Sequence, residues 1–173
     1  TLQSSSAASD VYKRQYIAFN APHTPIEAPI ELINEFTDIE NEKDRVYAAN
    51  VSALDTEIGR IIKAIEQEGI LEETIILFFS DNGPVFDIDP IAQVIAPNLI
   101  NAKGSTAGLR GSKTSTFEGG IRVPAVIWWK GVIENAKSDQ FFFVQDILPT
   151  LLRASNVNVA ETIKFDGKDK WLN

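Results

Sequence analysis

The sequence TIILFFSDNG, residues Thr74–Gly83, decides the fold expected of this 173-residue chain. Its first six residues are β-branched, aliphatic or aromatic without polar alternation, which predicts a strand buried on both faces of a sheet. Asp81 and Asn82 follow directly, at the carboxyl end of this strand. Open α/β sheets bind ligands at the carboxyl ends of their strands. Their side-chain oxygens are donors of the kind that Ca²⁺ or Mg²⁺ prefers. A plain Asp-Asn-Gly turn explains the same residues, so this stretch alone leaves a turn and a metal site as alternatives.

A helix is predicted before this strand. Between Arg45 and Glu68 apolar residues recur at helical spacing on one face, namely Val51, Leu54, Ile58, Ile61, Ile62 and Ile65. This period predicts an amphipathic helix, with Asp44 as its N-cap and Gly69 as its carboxyl-terminal stop. Asp55 lies within the helix and is interpreted as a solvated or capping residue.

Three further segments complete the expected fold. Tyr16–Asn20 is a short strand candidate, and Val123–Trp129 is a second buried-strand candidate. Phe141–Ala154 predicts a strand or turn that leads into an amphipathic helix, with Pro149 at a kink or in the first turn. Because strands alternate with helical segments, we expect an α/β domain with a mainly parallel sheet.

The only histidine, His23, lies in the segment PHTPIEAP, residues 22–29. Three prolines in eight residues exclude a regular helix or a central strand. His23 is therefore expected on a rigid, extended loop just beyond a strand end. A surface or hydrogen-bonded structural histidine is the alternative to a functional one.

A glycine-rich segment, Gly108–Gly131, carries two positive charges among its glycines, Arg110 and Lys113. Glycines at positions 108, 111, 119 and 120 let the backbone turn tightly and approach a ligand closely. A surface loop with solvated bases is the alternative. The aperiodic passage Pro84–Thr114 predicts a functional or mobile loop.

Composition bears on several classes of function. The net charge is −8, and the segment Glu27–Asp44, with seven acids and one base, contributes −6 of it, as a solvated acidic surface would. No basic stripe is present, so nucleic-acid binding is not expected. The chain has no cysteine, hence no disulfide or thiolate site, and no run of 18 apolar residues that predicts a membrane span.

The first fifteen residues, TLQSSSAASDVYKRQ, do not belong to the pattern that follows them. We expect residues 1–15 to be a non-native or disordered leader, with the native chain beginning near Tyr16. No closing element follows Trp171, so the sequence is expected to be an internal piece of a longer protein.

Taken in order, PHTP, the long helix, LFFSDNG, GLRGSKTSTFEGGIRVPAV, QDILPTLL and FDGKDKW resemble the formylglycine-dependent sulfatases, most of all the branch that includes arylsulfatase B. The resemblance extends from about Tyr16 to Trp171. It implies an alkaline-phosphatase-like α/β fold with a mixed, mainly parallel sheet flanked by helices, of which residues 16–173 form an incomplete part. It also implies a sulfuric ester hydrolase that acts on a sulfated small molecule or polysaccharide.

The resemblance implies roles for four residues in particular. Asp81 and Asn82 match two ligands of the active-site divalent cation, usually Ca²⁺, with Mg²⁺ as the alternative. His23 matches the histidine that contacts the sulfate and the leaving-group oxygen, and Lys113 matches a lysine that binds sulfate oxygens. The residues Glu118, Gly119, Gly120 and Arg122 match a segment with an architectural role. A sulfate monoester needs cations against its oxygens and a proton donor for the departing alcohol, in agreement with these roles.

The sequence departs from the family at the nucleophile. The family makes its formylglycine from a cysteine, or in some members a serine, within a Cys-x-Pro-x-Arg motif. This chain has no cysteine, and none of its prolines is followed two residues later by arginine. The paired aspartates that complete the family's metal site have no visible counterpart either. We therefore expect the chain alone to be inactive.

Two alternatives remain open from the sequence. A phosphodiesterase or phosphonate hydrolase of the same superfamily would use a similar metal site with another nucleophile. A non-catalytic paralogue or carbohydrate-binding module would keep the fold without turnover. By resemblance the protein is secreted, periplasmic or lysosomal, whereas its substrate and oligomeric state are not determined.

Overall fold

The regular structure begins with a short helix that packs on a long one. In the computed structural model, which describes residues 14–85 and 104–171, helix α1 spans Ile30–Ile33 and helix α2 spans Glu42–Gln67. A 3₁₀ turn, Asn34–Phe36, joins them, and α1 packs against α2. Five of the six apolar residues predicted on the face of α2 are half-buried, and Val51 is exposed. The predicted amphipathic helix is therefore confirmed, with a start three residues earlier than expected.

The amino terminus of α2 is capped by Asn41. Its Oδ1 atom accepts hydrogen bonds from the backbone N–H groups of Lys43 at 3.0 Å and Asp44 at 3.2 Å. A side-chain oxygen in this place satisfies backbone donors that have no partner within the helix. The prediction that Asp44 is the N-cap is wrong, because Asp44 already lies in the first turn. The apolar period marks only where the buried face begins, so it does not reveal this polar first turn.

The carboxyl end of α2 is closed by Gly69, as predicted. Gly69 has a φ of +72°, and its N–H donates to the carbonyl of Glu66 at 3.0 Å. The N–H of Ile70 donates to the carbonyl of Ile65 at 3.3 Å. These two bonds form a Schellman motif, which needs a left-handed residue after the helix, and glycine adopts that conformation at least cost.

Two strands form the only sheet in the described residues. Strand β1 spans Ile76–Phe79, and strand β2 spans Ala125–Trp128. They pair antiparallel, with Phe78 opposite Val126. A 3₁₀ turn, Leu71–Glu73, precedes β1. Both strands predicted from the two apolar runs are thus present, in shortened form.

The burial and direction of these strands differ from expectation. Phe78 is 45% exposed and Val126 is 57% exposed, so the prediction that β1 is buried on both faces is wrong for this chain. Burial on both faces needs a layer on each side of a sheet, and the described residues leave the face of Phe78 and Val126 open. The one observed pair is antiparallel, whereas the alternation of strands and helices predicted mainly parallel pairing.

The segment Tyr16–Asn20 is not a strand. Its five residues have no regular secondary structure and are exposed, and Tyr16 is 85% exposed. A strand is defined by its pairing, and no strand in residues 14–85 or 104–171 pairs with this segment. Residues 1–13, which are most of the predicted leader, lie outside the described part of the chain. The same holds for residues 86–103 of the predicted Pro84–Thr114 loop.

The chain divides into two compact units, Thr1–Ile133 and Glu134–Asn173. In the second unit a 3₁₀ turn, Val144–Asp146, leads into an α-helix, Ile147–Ala154. The predicted turn and helix are confirmed there, and Pro149 lies in the first helical turn, where its missing N–H has no intrahelical partner to lose. Among the described residues no helix combines the length and apolarity required to cross a membrane.

Asp146 and Thr150 organise this second unit. The carboxylate of Asp146 is 3% exposed and accepts the N–H of Lys168 at 2.7 Å and that of Phe143 at 3.0 Å. Thr150 Oγ1 accepts the N–H of Lys170 at 3.0 Å. The backbone hydrogen bond from Lys168, followed by the one from Phe143, lowers the pKa of Asp146 because both stabilise its charged form. These contacts fix residues 168–170 against the 3₁₀ turn and the helix Ile147–Ala154.

Candidate functional site

Polar residues follow β1 where the apolar run ends. Ser80 Oγ donates to the carbonyl of Asn82 at 3.0 Å, and Asn82 Nδ2 donates to the carbonyl of Gly83 at 2.9 Å. Asp81 is exposed and Asn82 is half-buried. Because the amide nitrogen of Asn82 is engaged by the backbone, its Oδ1 atom remains as an oxygen donor, on the residue that follows Asp81 in the chain.

A glycine-rich segment, here named the glycine clasp and comprising residues 110–120, is bonded to this strand end. Its last three residues begin a short α-helix, Glu118–Ile121. The N–H of Gly83 donates to the carbonyl of Gly120 at 2.8 Å, and the N–H of Gly119 donates to the carbonyl of Arg110 at 2.8 Å. A Cβ atom on Gly83 would overlap the carbonyl of Gly119. Gly83, Gly119 and Gly120 are buried. The architectural role predicted for this segment is confirmed for its two glycines, since no side chain fits there.

Lys113 lies at the tip of a turn within the glycine clasp. Its N–H donates to the carbonyl of Pro84 at 2.9 Å, so its backbone lies beside the residue that follows Gly83. The turn Ser112–Ser115 is closed by the N–H of Ser115, which donates to the carbonyl of Ser112 at 3.0 Å. Lys113 is half-buried and forms no ion pair with another described residue.

His23 is exposed on its loop. Its Nδ1 atom lies 2.8 Å from the carbonyl oxygen of Thr24, and a carbonyl only accepts, so Nδ1 carries the hydrogen in this arrangement. The Nε2 atom is then the ring nitrogen left to meet a ligand. The loop itself is held on helix α2 by Asn50, whose Nδ2 donates to the carbonyl of Glu27 at 2.7 Å.

The structure links the backbone segments of three of the four predicted site residues. Asp81, Asn82 and Lys113 are joined through the backbone contacts of Gly83 and Pro84 with the glycine clasp. His23 has no hydrogen bond or ion pair with any of the three within the described residues. Its participation in the site stays a prediction, as do the roles of the other three.

The side-chain oxygens at the end of β1 are the type of donor atom that a hard cation binds. Asp81 and the Oδ1 atom of Asn82 make no hydrogen bond or ion pair with another described residue, and oxygen is the donor that Ca²⁺ and Mg²⁺ prefer. Calcium takes six to eight such ligands, however, and no group of three or more His, Cys, Asp or Glu residues in the described residues could hold a metal. Two protein donors therefore form part of a coordination shell, and calcium binding stays a prediction.

Two supporting contacts were missed by sequence reasoning. Arg110 stacks on Phe117, with its guanidinium carbon 3.8 Å from the ring centroid, a cation–π contact that turns this charge toward the clasp itself. Asn50 is 6% exposed and anchors the His23 loop. The only sequence signal for Asn50 was a polar residue inside the helical segment, which fixes neither its burial nor its partner.

Comparison with known proteins gives a family. The family model described as Sulfatase matches residues 14–157. The chain is 32% identical over 161 residues to the uncharacterized sulfatase YdeN of Escherichia coli (strain K12), covering 91% of this chain and 26% of that protein. It is 31% identical over 158 residues to arylsulfatase J of Mus musculus, covering 90% of this chain and 24% of the relative. The crystal structure of Ps i-CgsB in complex with k-i-k-neocarrahexaose matches with a TM-score of 0.68 and 30% identity, over 87% of this chain and 31% of that chain.

These matches define a class of α/β proteins with the alkaline-phosphatase-like fold. The activity of this family is the hydrolysis of sulfate esters. The chain belongs to the sulfatase family, since the family model covers well over half of its 173 residues. The predicted family and fold class are thereby confirmed. The chain spans about a quarter of the length of YdeN and of arylsulfatase J.

Proposed function

We propose that Asp81, Asn82, Lys113 and His23 bind a sulfate monoester and promote its hydrolysis, in a longer enzyme that contains this chain. The observation that supports this best is the hydrogen bond from the Lys113 N–H to the carbonyl of Pro84. It holds the lysine beside the strand end that carries two oxygen donors. An ammonium group next to a cation site is suited to an anionic ester bound by both.

Each residue has one role in this proposal. Lys113 binds sulfate oxygens and offsets the negative charge that develops on them. A protonated Nε2 of His23 donates its proton to the leaving-group oxygen, while Nδ1 stays bonded to Thr24. Asp81 and Asn82 hold Ca²⁺, with Mg²⁺ as the alternative. When bound, the cation acts as a Lewis acid toward the sulfate oxygens.

The nucleophile is assigned to sequence outside this chain. The 173 residues contain no cysteine from which a formylglycine could be made. The four proposed residues can bind and polarise the ester, but they include no group that attacks sulfur. We expect the chain by itself to release no sulfate.

A sulfated saccharide is the proposed natural substrate, and an aryl sulfate is the convenient assay substrate. The first is supported by the k-i-k-neocarrahexaose bound to Ps i-CgsB, and the second by the relative named arylsulfatase J. A secreted, periplasmic or lysosomal location stays a prediction.

The test uses the full natural reading frame that contains this chain, coexpressed with a formylglycine-generating enzyme. Sulfate release from an aryl sulfate and from a sulfated oligosaccharide is measured before and after removal of divalent cations.

We expect Lys113→Ala and His23→Ala each to lower kcat/KM by about 10²–10⁴. The effect of His23→Ala should be larger for an alkyl sulfate, whose poor leaving group needs the proton. Lys130→Ala is the control, because Lys130 is exposed and paired with Glu72 at 3.4 Å.

Other outcomes would contradict the proposal in distinct ways. Faster cleavage of phosphodiesters or phosphonates than of sulfate esters would favour the phosphoryl-transfer alternative. Calcium binding without turnover of any of these esters would favour a non-catalytic paralogue. Wild-type rates for His23→Ala on alkyl sulfates would remove the proton-donor role.

A further inference from the structure

The hydroxyl group of Ser115 makes two hydrogen bonds across the turn that carries Lys113. Ser115 Oγ donates to the carbonyl of Ser112 at 2.8 Å and accepts the N–H of Ser112 at 3.2 Å. The backbone N–H of Ser115 donates to the same carbonyl at 3.0 Å. One hydroxyl thus uses its donor and one of its acceptor sites within a single turn.

The turn needs this closure because its backbone is unfavourable at Thr114. Thr114 has a φ of +77°, a conformation that a β-branched residue adopts rarely. Residues in such conformations persist only where their surroundings hold them. The bonds of Ser115 to Ser112 enclose Lys113 and Thr114, and so they hold Thr114 in this conformation.

Packing around Ser115 leaves room for a small side chain only. A Cβ atom on Gly111 would overlap Ser115 Oγ, and a Cβ atom on Gly120 would overlap the carbonyl of Ser115. The hydroxyl is therefore confined between two glycines of the clasp. Its hydrogen bonds are made inside a packed element and not at an exposed loop tip, and Ser115 is half-buried.

We infer that Ser115 is a positioning residue for Lys113, through which it acts on the sulfate group. Ser115 sets the turn, the turn places the Lys113 N–H on the carbonyl of Pro84 at 2.9 Å, and this contact fixes where the lysine side chain starts relative to Asp81 and Asn82. The inference rests on the proposed function, because it assigns Ser115 a purpose only if Lys113 binds the anion.

The first test measures hydrogen exchange in the full enzyme and does not depend on catalytic activity. Amide hydrogen exchange at Lys113 is compared in wild type, Ser115→Ala and Ser112→Ala. Ser112 is the matched control, since its hydroxyl has only a 3.5 Å contact with the carbonyl of Lys113. Loss of two hydrogen bonds should speed exchange of the Lys113 N–H about tenfold in Ser115→Ala, with less than about a twofold change in Ser112→Ala. Equal exchange in the two variants would overturn the inference.

The second test is a double-mutant cycle in the full enzyme. Ser115→Ala should lower kcat/KM about tenfold and weaken competitive inhibition by inorganic sulfate to a similar degree. In the Lys113→Ala background the same change should have less than about a twofold effect, because its route to the substrate is gone. A merely structural role predicts the same loss in both backgrounds, and that result would overturn the inference. Melting temperatures identify a folding defect, in which case Ser115→Cys, similar in size but a weak donor, replaces the alanine variant.

The outcomes separate this inference from the proposed function. An impaired Lys113→Ala enzyme combined with an unimpaired Ser115→Ala enzyme would overturn the role of Ser115 alone. Wild-type activity in Lys113→Ala would remove the role of Lys113, and the role of Ser115 with it. Absence of any sulfate release from wild-type enzyme would overturn both.

Discussion

At the scale of single residues, the left-handed backbone of Thr114 indicates that the glycine clasp holds an unfavourable conformation next to Lys113. Three non-glycine residues in the described chain have a positive φ, namely Ala107, Thr114 and Asn156. Thr114 is the only β-branched member of the three, and it directly follows Lys113. A left-handed backbone costs an L-residue about 1–2 kcal/mol. The sequence around it, Ser-Lys-Thr-Ser, has no glycine or asparagine to announce such a turn, so sequence reasoning passed over it.

Replacing Thr114 by glycine should therefore stabilise the fold. Glycine adopts a φ of +77° freely, and this gain exceeds the added entropy of the unfolded chain. We expect the free energy of unfolding to rise by about 0.5–1 kcal/mol, measured by urea denaturation. Thr116→Gly is the matched control, because Thr116 is exposed and has no positive φ, so that change should lower stability. A Thr114→Gly variant no more stable than wild type would show that this backbone is not strained.

At the scale of elements, the end of β1 and the glycine clasp act as one structural unit. The strand delivers Asp81 and Asn82, and the clasp delivers Lys113. The two segments are joined where the N–H of Gly83 donates to the carbonyl of Gly120, and a Cβ atom on Gly83 would overlap the carbonyl of Gly119 there. Close approach was predicted for Gly119 and Gly120, but not the backbone groups that they approach, because composition carries no information on partners.

Alanine at Gly119 should disrupt the packing inside the glycine clasp, whereas alanine at Gly59 should stabilise the chain. A Cβ atom on Gly119 would overlap the carbonyls of Gly111 and Arg110, and such overpacking costs about 1–3 kcal/mol. Gly59 lies in the interior of α2, exposed, with nothing within 4 Å of a Cβ atom, so Gly59→Ala should stabilise by about 0.5–1 kcal/mol. Urea denaturation of both variants measures the contrast. Equal effects on stability would mean that the clasp tolerates a side chain.

At the scale of the whole molecule, the chain forms two compact units that are stabilised by different interactions. The first contains the helix α2, the two strands and the clasp, and the second depends on a buried carboxylate, Asp146. The two backbone N–H groups from Lys168 and Phe143 stabilise the ionised carboxylate. The second unit therefore depends on pH through one identifiable group.

Acid should loosen the second unit through Asp146. Because the pKa of Asp146 is lower in the folded than in the unfolded chain, its contribution is complete above the ordinary carboxyl pKa of about 4 and disappears as pH falls through the lower, folded-state value. Asp146→Asn should reduce stability at neutral pH, and its difference from wild type should shrink on acidification. NMR signals of Lys168 and Lys170, followed in urea from about pH 6 to about pH 2, measure this. Asp166→Asn, at an exposed position nearby, is the control, and a constant gap between Asp146→Asn and wild type would contradict the assignment.

The family, the helix with its stop at Gly69, and the polar pair that follows β1 are predictable from the sequence alone. These depend on residues close together along the chain, where apolar period and turn chemistry act directly. Three further features are set by the folded backbone: the antiparallel pairing of β1 with β2, the attachment of Lys113 to Pro84, and the closure of its turn by Ser115. Each of these depends on which backbone groups, distant in sequence or strained in conformation, meet and satisfy one another, and local patterns do not encode those partners.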